Sequence, residues 1–174
     1  MLSRDEREKI EKEGLLYGAG ILSREWGVPL GDIEIVTDKD RQVKGIDLQI
    51  TLNGLIYYVD TKHQSVVHKR QKLNEYGVDT LSIEVRKAKG QKGWGIDNSL
   101  LTHYLLYTVT GVGYYLIDSY KLREYMNKYY EHYEIAYNYE GLEEYRAVSV
   151  ADLLYHGIIE KRGNWDTVTN LRAV

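Results

Sequence analysis

Asp47, Asp60 and Lys62 are the residues of this chain whose types and spacing fit a chemical task. Two carboxylates, with a lysine two residues past the second, offer oxygen ligands to a hard divalent cation and place an ammonium beside it. To act together they must share one face of one element. The stretch 43–64, VKGIDLQITLNGLIYYVDTKHQ, supplies that element. Two runs of alternating apolar residues flank Asn53-Gly54. Asn-Gly in that setting is the strongest short-range signal for a two-residue β-hairpin, because a type I′ turn needs φ > 0 at both central positions. With the pair in the turn, Leu52 faces Leu55, Ile50 faces Tyr57 and Leu48 faces Val59, making an apolar face. The other face carries Thr51 opposite Ile56, Gln49 opposite Tyr58 and Asp47 opposite Asp60, with Lys62 pointing the same way. Like charges so opposed destabilise a strand pair. The two aspartates therefore either reach solvent separately or share a cation, and the spacing predicts Mg²⁺ (or Mn²⁺). A bulge in the hairpin would change this register.

Asp47 followed, after twelve intervening residues, by Asp60-Thr61-Lys62 resembles the signature of the PD-(D/E)XK nuclease superfamily. The family's proline is replaced by Ile46, which leaves the carboxylate in place. The resemblance implies that Asp47 and Asp60 hold the metal and that Lys62 positions or activates the attacking water. It also implies a glutamate contributed by the first helix; Glu11 is the candidate and Glu13 the reserve. The fold so implied is α/β (α+β): a restriction-endonuclease-like αβββαβ core, a mixed sheet flanked by helices, over about residues 3–110. A C-terminal α/β extension, with no family match, completes a single domain over 1–174. An origin on a phage or mobile element is a looser implication.

The elements that must position these residues are legible from caps and periodicity. Ser3-Arg4-Asp5-Glu6 reads as a capping box, and Gly27 with Pro29 beyond it as the helix stop. Between them Ile10, Leu15, Tyr17, Ala19, Ile21, Leu22 and Trp26 gather into one arc that also holds Gly14 and Gly18, which suggests close packing on a sheet. Residues 32–37 read as a strand and Asp38-Lys39-Asp40-Arg41 as a turn. That turn is no calcium loop, since Val43 and Gln49 stand where glycine and glutamate are needed. Residues 63–80 are polar and basic, and His63 and His68 read as part of a solvated loop. Residues 81–86 alternate as a strand, whose Glu84 approaches the metal only if that strand lies beside the one carrying Asp60. A short helix over 100–103, a hairpin of 104–109 with 114–117, a helix from Ser119 to about Tyr133, a strand over 145–150 and a helix over 151–156 follow. The last fifteen or so residues carry no pattern.

Two basic segments are candidates for phosphate contacts: Lys69, Arg70 and Lys72, then Arg86, Lys87, Lys89 and Lys92 running into a glycine-rich turn with Trp94. DNA is the expected partner, although a net charge of -3 argues against binding driven by bulk charge. Hydrophobic content of 43% and charged content of 28% are those of a globular protein. No apolar run approaches a membrane span and no signal-peptide core opens the chain, so a cytoplasmic (intracellular) location is expected. With no cysteine, disulfides and thiolate metal sites are excluded. There are 17 tyrosines and no phenylalanine, which predicts a half-wet core in which tyrosine takes phenylalanine's place. The function expected is Mg²⁺-dependent endonuclease hydrolysis of DNA phosphodiesters. One alternative is a non-catalytic protein of the same fold that binds DNA or a protein partner, such as a phage anti-defence factor. Another is a structural protein or homodimer using the tyrosine-rich C-terminal part as its interface. P-loop, HExxH and GxSxG patterns are absent.

Overall fold

The computed structural model describes residues 3–64, 67–139 and 143–164; the side chains of Arg7, Ile10 and 137–139 lie outside the described residues, as does 165–174. In chain order the elements are α1 (Arg4–Trp26), β1 (Ile33–Ile35), α2 (Lys39–Val43), β2 (Leu48–Leu52), β3 (Leu55–Gln64), β4 (Leu73–Asn74), β5 (Gly77–Val78), β6 (Thr80–Arg86), β7 (Tyr104–Val109), β8 (Gly113–Asp118), α3 (Ser119–Tyr129), β9 (Ile135–Tyr139), β10 (Glu143–Ser149), α4 (Val150–Tyr155) and β11 (Ile159–Asn164). Six strands form a mixed sheet in the order β1-β2-β3-β7-β8-β11; β6-β10-β9 form a second sheet and β4-β5 a small hairpin. The architecture is thus mixed α/β, a mixed sheet flanked by helices. Among the described residues no helix is long and apolar enough to cross a membrane.

The local signals explain most of these elements. The capping box of Ser3 and Glu6 forms at the start of α1, and Gly27 closes the helix in the left-handed region at φ 64°. Leu15, Ala19, Ile21 and Leu22 bury one face of α1 against Ile33, Leu48, Ile50, Val59, Leu106 and Leu116 of the large sheet. At Gly18 helix and sheet approach closely: a Cβ there would stand 3.3 Å from Leu106 and 3.5 Å from Thr61. Gly14, expected to do the same, is exposed and has nothing within 4 Å. The opposite face of the large sheet, with Leu105, Tyr107, Val109 and Ile117, packs on β6, β10, α3 and α4.

The phenols behave as predicted. Tyr107, Tyr114 and Tyr115 are buried, and each hydroxyl is bonded. Tyr107 donates to Gln64 Oε1 at 2.9 Å, Tyr114 to Glu25, and Tyr115 to the Tyr76 carbonyl at 2.6 Å. Phenylalanine would fill the same space and make none of these bonds.

Several expectations need correction. The segment 38–41 opens the short helix α2, because Asp38 caps it by accepting from the Asp40 N–H. Residues 100–103 form no helix. The Asp97 carboxylate accepts from the Ser99 N–H and hydroxyl, and Leu101 and His103 donate to the Lys44 and Tyr58 carbonyls, drawing the chain out into β7. His63 belongs to β3, a strand of ten residues, and not to a loop. The strand 81–86 lies in the second sheet; β3 has β7 as its parallel neighbour. β9 and β11 are each an edge strand of its sheet, and β11 carries charged, exposed residues at 160–162 in place of an apolar alternation. Residues after 110 add β8 and β11 to the sheet that carries Asp60.

Candidate active site

The hairpin of β2 and β3 forms in the predicted register, from Leu52–Leu55 to Leu48–Val59. Asn53 and Gly54 both have positive φ, 52° and 77°, as a type I′ turn requires. At Asp47 the regular ladder ends. The Asp47 N–H donates to the Val59 carbonyl at 3.0 Å, so Asp47 and Leu48 both stand against Val59 in the manner of a β-bulge. The predicted direct pairing of Asp47 with Asp60 is therefore replaced by a shifted one. The bulge aims the Asp47 carboxylate along β3, where Oδ2 accepts from the Thr61 N–H and the Thr61 hydroxyl, both at 2.9 Å. Thr61 was not singled out in the sequence. Only the bulge brings it to Asp47, and a bulge leaves no mark in an alternating pattern.

Asp60 is 4% exposed, and Lys62 lies on its side of β3 as the period of two requires. Lys62 Nζ stands 2.8 Å from each Asp60 oxygen, a bidentate ion pair. Burial pushes the Asp60 carboxyl up, the Lys62 ammonium pulls it back, and the Asp47 carboxylate pushes it up again; the balance lies at about 6. The aspartates are near enough to repel one another. Behind them, on α3, the Arg123 side chain is buried. Its Nη2 donates to the Thr102 carbonyl at 3.2 Å, its Nε has no hydrogen-bond partner, and Asp97, Asp118 and Asp60 hold its charge against the cost of burial.

Asp47, Asp60, Thr61 and Lys62 line a cleft of about 760 Å³, together with residues from the first half of α1, from β7 and from the second sheet. Glu11 and Glu13 are exposed on α1 and both reach its rim. Among the described residues, however, no three Asp, Glu or His side chains converge as a metal-binding group, so neither glutamate joins the aspartates. Glu84 also lines the cleft although its strand is in the other sheet. It is 6% exposed, not the solvated residue its position suggests, and it accepts from the Trp94 N–H and the Tyr145 hydroxyl, both at 3.3 Å. His63 lines the cleft with Nδ1 2.7 Å from the Thr108 hydroxyl, and burial holds its pKa below the usual range.

Of the basic residues, Lys87 alone among the seven candidates lines this cleft. Arg86 pairs with Glu144 at 3.0 Å, and Arg70 donates to the Ile135 carbonyl at 2.7 Å. Lys69, Lys72, Lys89 and Lys92 are exposed and outside the lining. Trp94 is half-buried in the cleft wall, with Lys62 Nζ 5.7 Å from its ring centroid.

The donor set fits a hard divalent cation: two carboxylates, one with an oxygen not engaged by Thr61 and one buried with a raised pKa that a cation would relieve. Compared with known proteins, the chain matches no family model, no curated protein and no solved structure.

Proposed function

We propose that the chain is a Mg²⁺- or Mn²⁺-dependent nuclease acting on DNA phosphodiesters, with a restriction-endonuclease-like core. The observation that carries this reading is the Asp60–Lys62 ion pair beside Asp47 in an open cleft. The order of elements supports it: α1, then the antiparallel strands β1, β2 and β3, then β7 parallel to β3. The crossover between β3 and β7, a helix in the αβββαβ order, is built here from β4, β5, β6 and the glycine loop.

Asp47 and Asp60 would hold the cation. Thr61 fixes the Asp47 carboxylate by two bonds, so one oxygen is pre-aimed before any ligand arrives. A bound divalent ion supplies Lewis acidity to the scissile phosphate and lowers the pKa of its water. Lys62, released from Asp60 as that carboxylate turns to the cation, would hold the water in line and offset charge developing on the phosphoryl oxygens. It cannot be a ligand while protonated, having no lone pair. Lys87 at the rim would contact a neighbouring phosphate.

A second reading has one observation in its favour. The Asp60–Lys62 pair is closed on itself, both oxygens on one ammonium, which suits a non-catalytic binding protein. Incubating the purified protein with plasmid, single-stranded and branched DNA, and with RNA, in Mg²⁺, Mn²⁺ or EDTA separates the two. Metal-dependent cleavage is expected; no cleavage of any form in either metal would sink the nuclease reading.

A further inference from the structure

Next to the carboxylates a smaller recess of about 300 Å³ opens from the cleft; Lys62, His63, Trp94 and Tyr145 line both. Its walls are aromatic, Trp94, Tyr107 and Tyr145, with His68 and Ser82 adding polar edges. Those walls are held in place. Gly93 and Gly95 donate to the Val85 and Glu84 carbonyls at 3.0 and 2.9 Å, stapling the loop that carries Trp94 onto β6. A Cβ at Gly93 would run into the Glu84 backbone, so only glycine permits that approach. Glu84 clamps both walls at once, through the Trp94 N–H and the Tyr145 hydroxyl. A buried carboxylate that holds the Trp94 backbone and the Tyr145 hydroxyl together marks a preorganised slot.

Resting on the reading of the cleft as a phosphodiester site, we propose that this recess takes one unpaired nucleobase, stacked on Trp94, of a strand whose phosphate lies at Lys62. The volume is at the low end of small-ligand pockets, roughly 300–1,000 Å³, and suits a single flat ring system. A base inside a duplex is stacked on both faces and enters such a slot only after leaving the stack. The substrate class is therefore single-stranded or locally melted nucleic acid. Aromatic stacking is indifferent to base identity, so little sequence preference follows.

Binding in EDTA, where nothing is cut, tests this with a short mixed-sequence DNA strand, the same sequence as RNA, its DNA duplex, and the DNA strand carrying abasic sites. Single strands should bind at least about tenfold more tightly than duplex, and abasic sites should weaken them. Trp94→Ala should weaken single-strand binding roughly 5- to 100-fold with the salt slope unchanged, because no phosphate contact is lost, and Trp94→Phe should restore most of it. The DNA and RNA arms show which sugar is preferred. Equal binding of duplex, intact strand and abasic strand overturns the recess proposal, and that comparison needs no variant to fold. Metal-dependent cleavage of duplex as fast as single strand overturns it while leaving the nuclease reading standing. Trp94-dependent single-strand binding without cleavage in Mg²⁺ or Mn²⁺ upholds the recess and removes the nuclease.

Discussion

Two carboxylates in this protein face opposite electrostatic fates. Glu25, near the end of α1, accepts from the Tyr114 hydroxyl, and has Arg24 at 3.2 Å and Lys161 at 3.6 Å. Burial pushes its pKa up, but the phenol and the two cations together bring it below the usual carboxylate range. Among the described residues Asp60 ion-pairs with Lys62 alone, has a second carboxylate beside it and shares the more distant Arg123 with Asp97 and Asp118, and its pKa rises to about 6. Glu25 is saturated with donors and serves to tie α1 to β8 and β11. Asp60 is short of positive charge at neutral pH, and a folded protein keeps such a group only where the surroundings enforce it. The contrast separates a carboxylate whose charge is met within the fold from one that, in the proposed reading, a cation would complete.

The comparison is broken most severely at Lys62. Lys62→Met keeps the aliphatic stem and removes the only ion-pairing cation of Asp60 among the described residues. If Lys62 preorganises the attacking water, its loss should cost on the order of 10²–10³ in kcat with metal binding retained. Arg24→Met, which strips a cation from Glu25, should leave kcat unchanged. Equal kinetics for wild type and Lys62→Met on a substrate the wild type cuts would remove the catalytic role.

Supplying the missing charge is the next test. A cation that binds only the folded state stabilises it by about 2.7 kcal/mol at a hundred times its Kd. For a chain of this size that is roughly 5–10 °C in Tm. Mg²⁺ or Mn²⁺ should produce such a shift, Asp47→Asn and Asp60→Asn should each abolish it, and Glu25→Gln should not. The shift should also shrink below about pH 6 as Asp60 takes up a proton. A metal response that survives in both aspartate variants would place the ion elsewhere.

How much of this contrast the sequence disclosed follows from how local each feature is. The hairpin, its turn and the shared direction of Asp60 and Lys62 depend on neighbours in the chain and a period of two, and all three formed. The capping box and the helix stop at Gly27 are local too. The bulge at Asp47 depends on how the chain enters β2 from α2, which no alternation records. Glu84 and Tyr145 come from a second sheet whose pairing spans β6 to β10, a contact of long sequence separation. The tie from Glu25 to Lys161 is longer still. The basic segments could not be resolved residue by residue because composition states charge without direction: Arg86 pairs with Glu144, whereas Lys87, next to it, lines the cleft.

The two carboxylates should also answer pH with opposite sign. Asp60 is raised, so the folded state binds its proton more tightly than the unfolded chain, and the stability it contributes is lost as pH climbs from about 4 to about 6. The gap between about 6 and the ordinary 3.8 corresponds to roughly 3 kcal/mol at neutral pH. Asp60→Asn should therefore raise Tm at pH 7 in EDTA, with the gain vanishing near pH 4. Glu25 is lowered, so its contribution is present above its ordinary value of 4.5 and lost as pH falls through its folded pKa. Glu25→Gln should lower Tm at pH 7, with the deficit closing in acid. Thermal melts from pH 4 to pH 8 check both, and parallel curves for the two variants would erase the distinction.

The smallest effect concerns the cations that surround each site. Lys87 lines the carboxylate cleft, whereas Arg162, in a second cleft with Arg24 and Glu25, donates to the Glu75 carbonyl at 2.7 Å and lies over the Tyr76 ring. A phosphate contact made by Lys87 releases a counterion, so Lys87→Gln should reduce the slope of log K against log salt. The expected loss is about 0.9 for duplex and about 0.7 for a single strand. Arg162→Gln should leave the slope alone, because its guanidinium is already committed within the protein. Lys69→Gln should leave it alone as well if the nucleic acid runs only through the cleft, and should lower it by a further unit if the strand continues across the segment between β3 and β4. Titrations at several salt concentrations measure all three on one strand. A slope that responds to Arg162 and ignores Lys87 would move the nucleic acid to the Glu25 side and reverse the roles given to the two carboxylates.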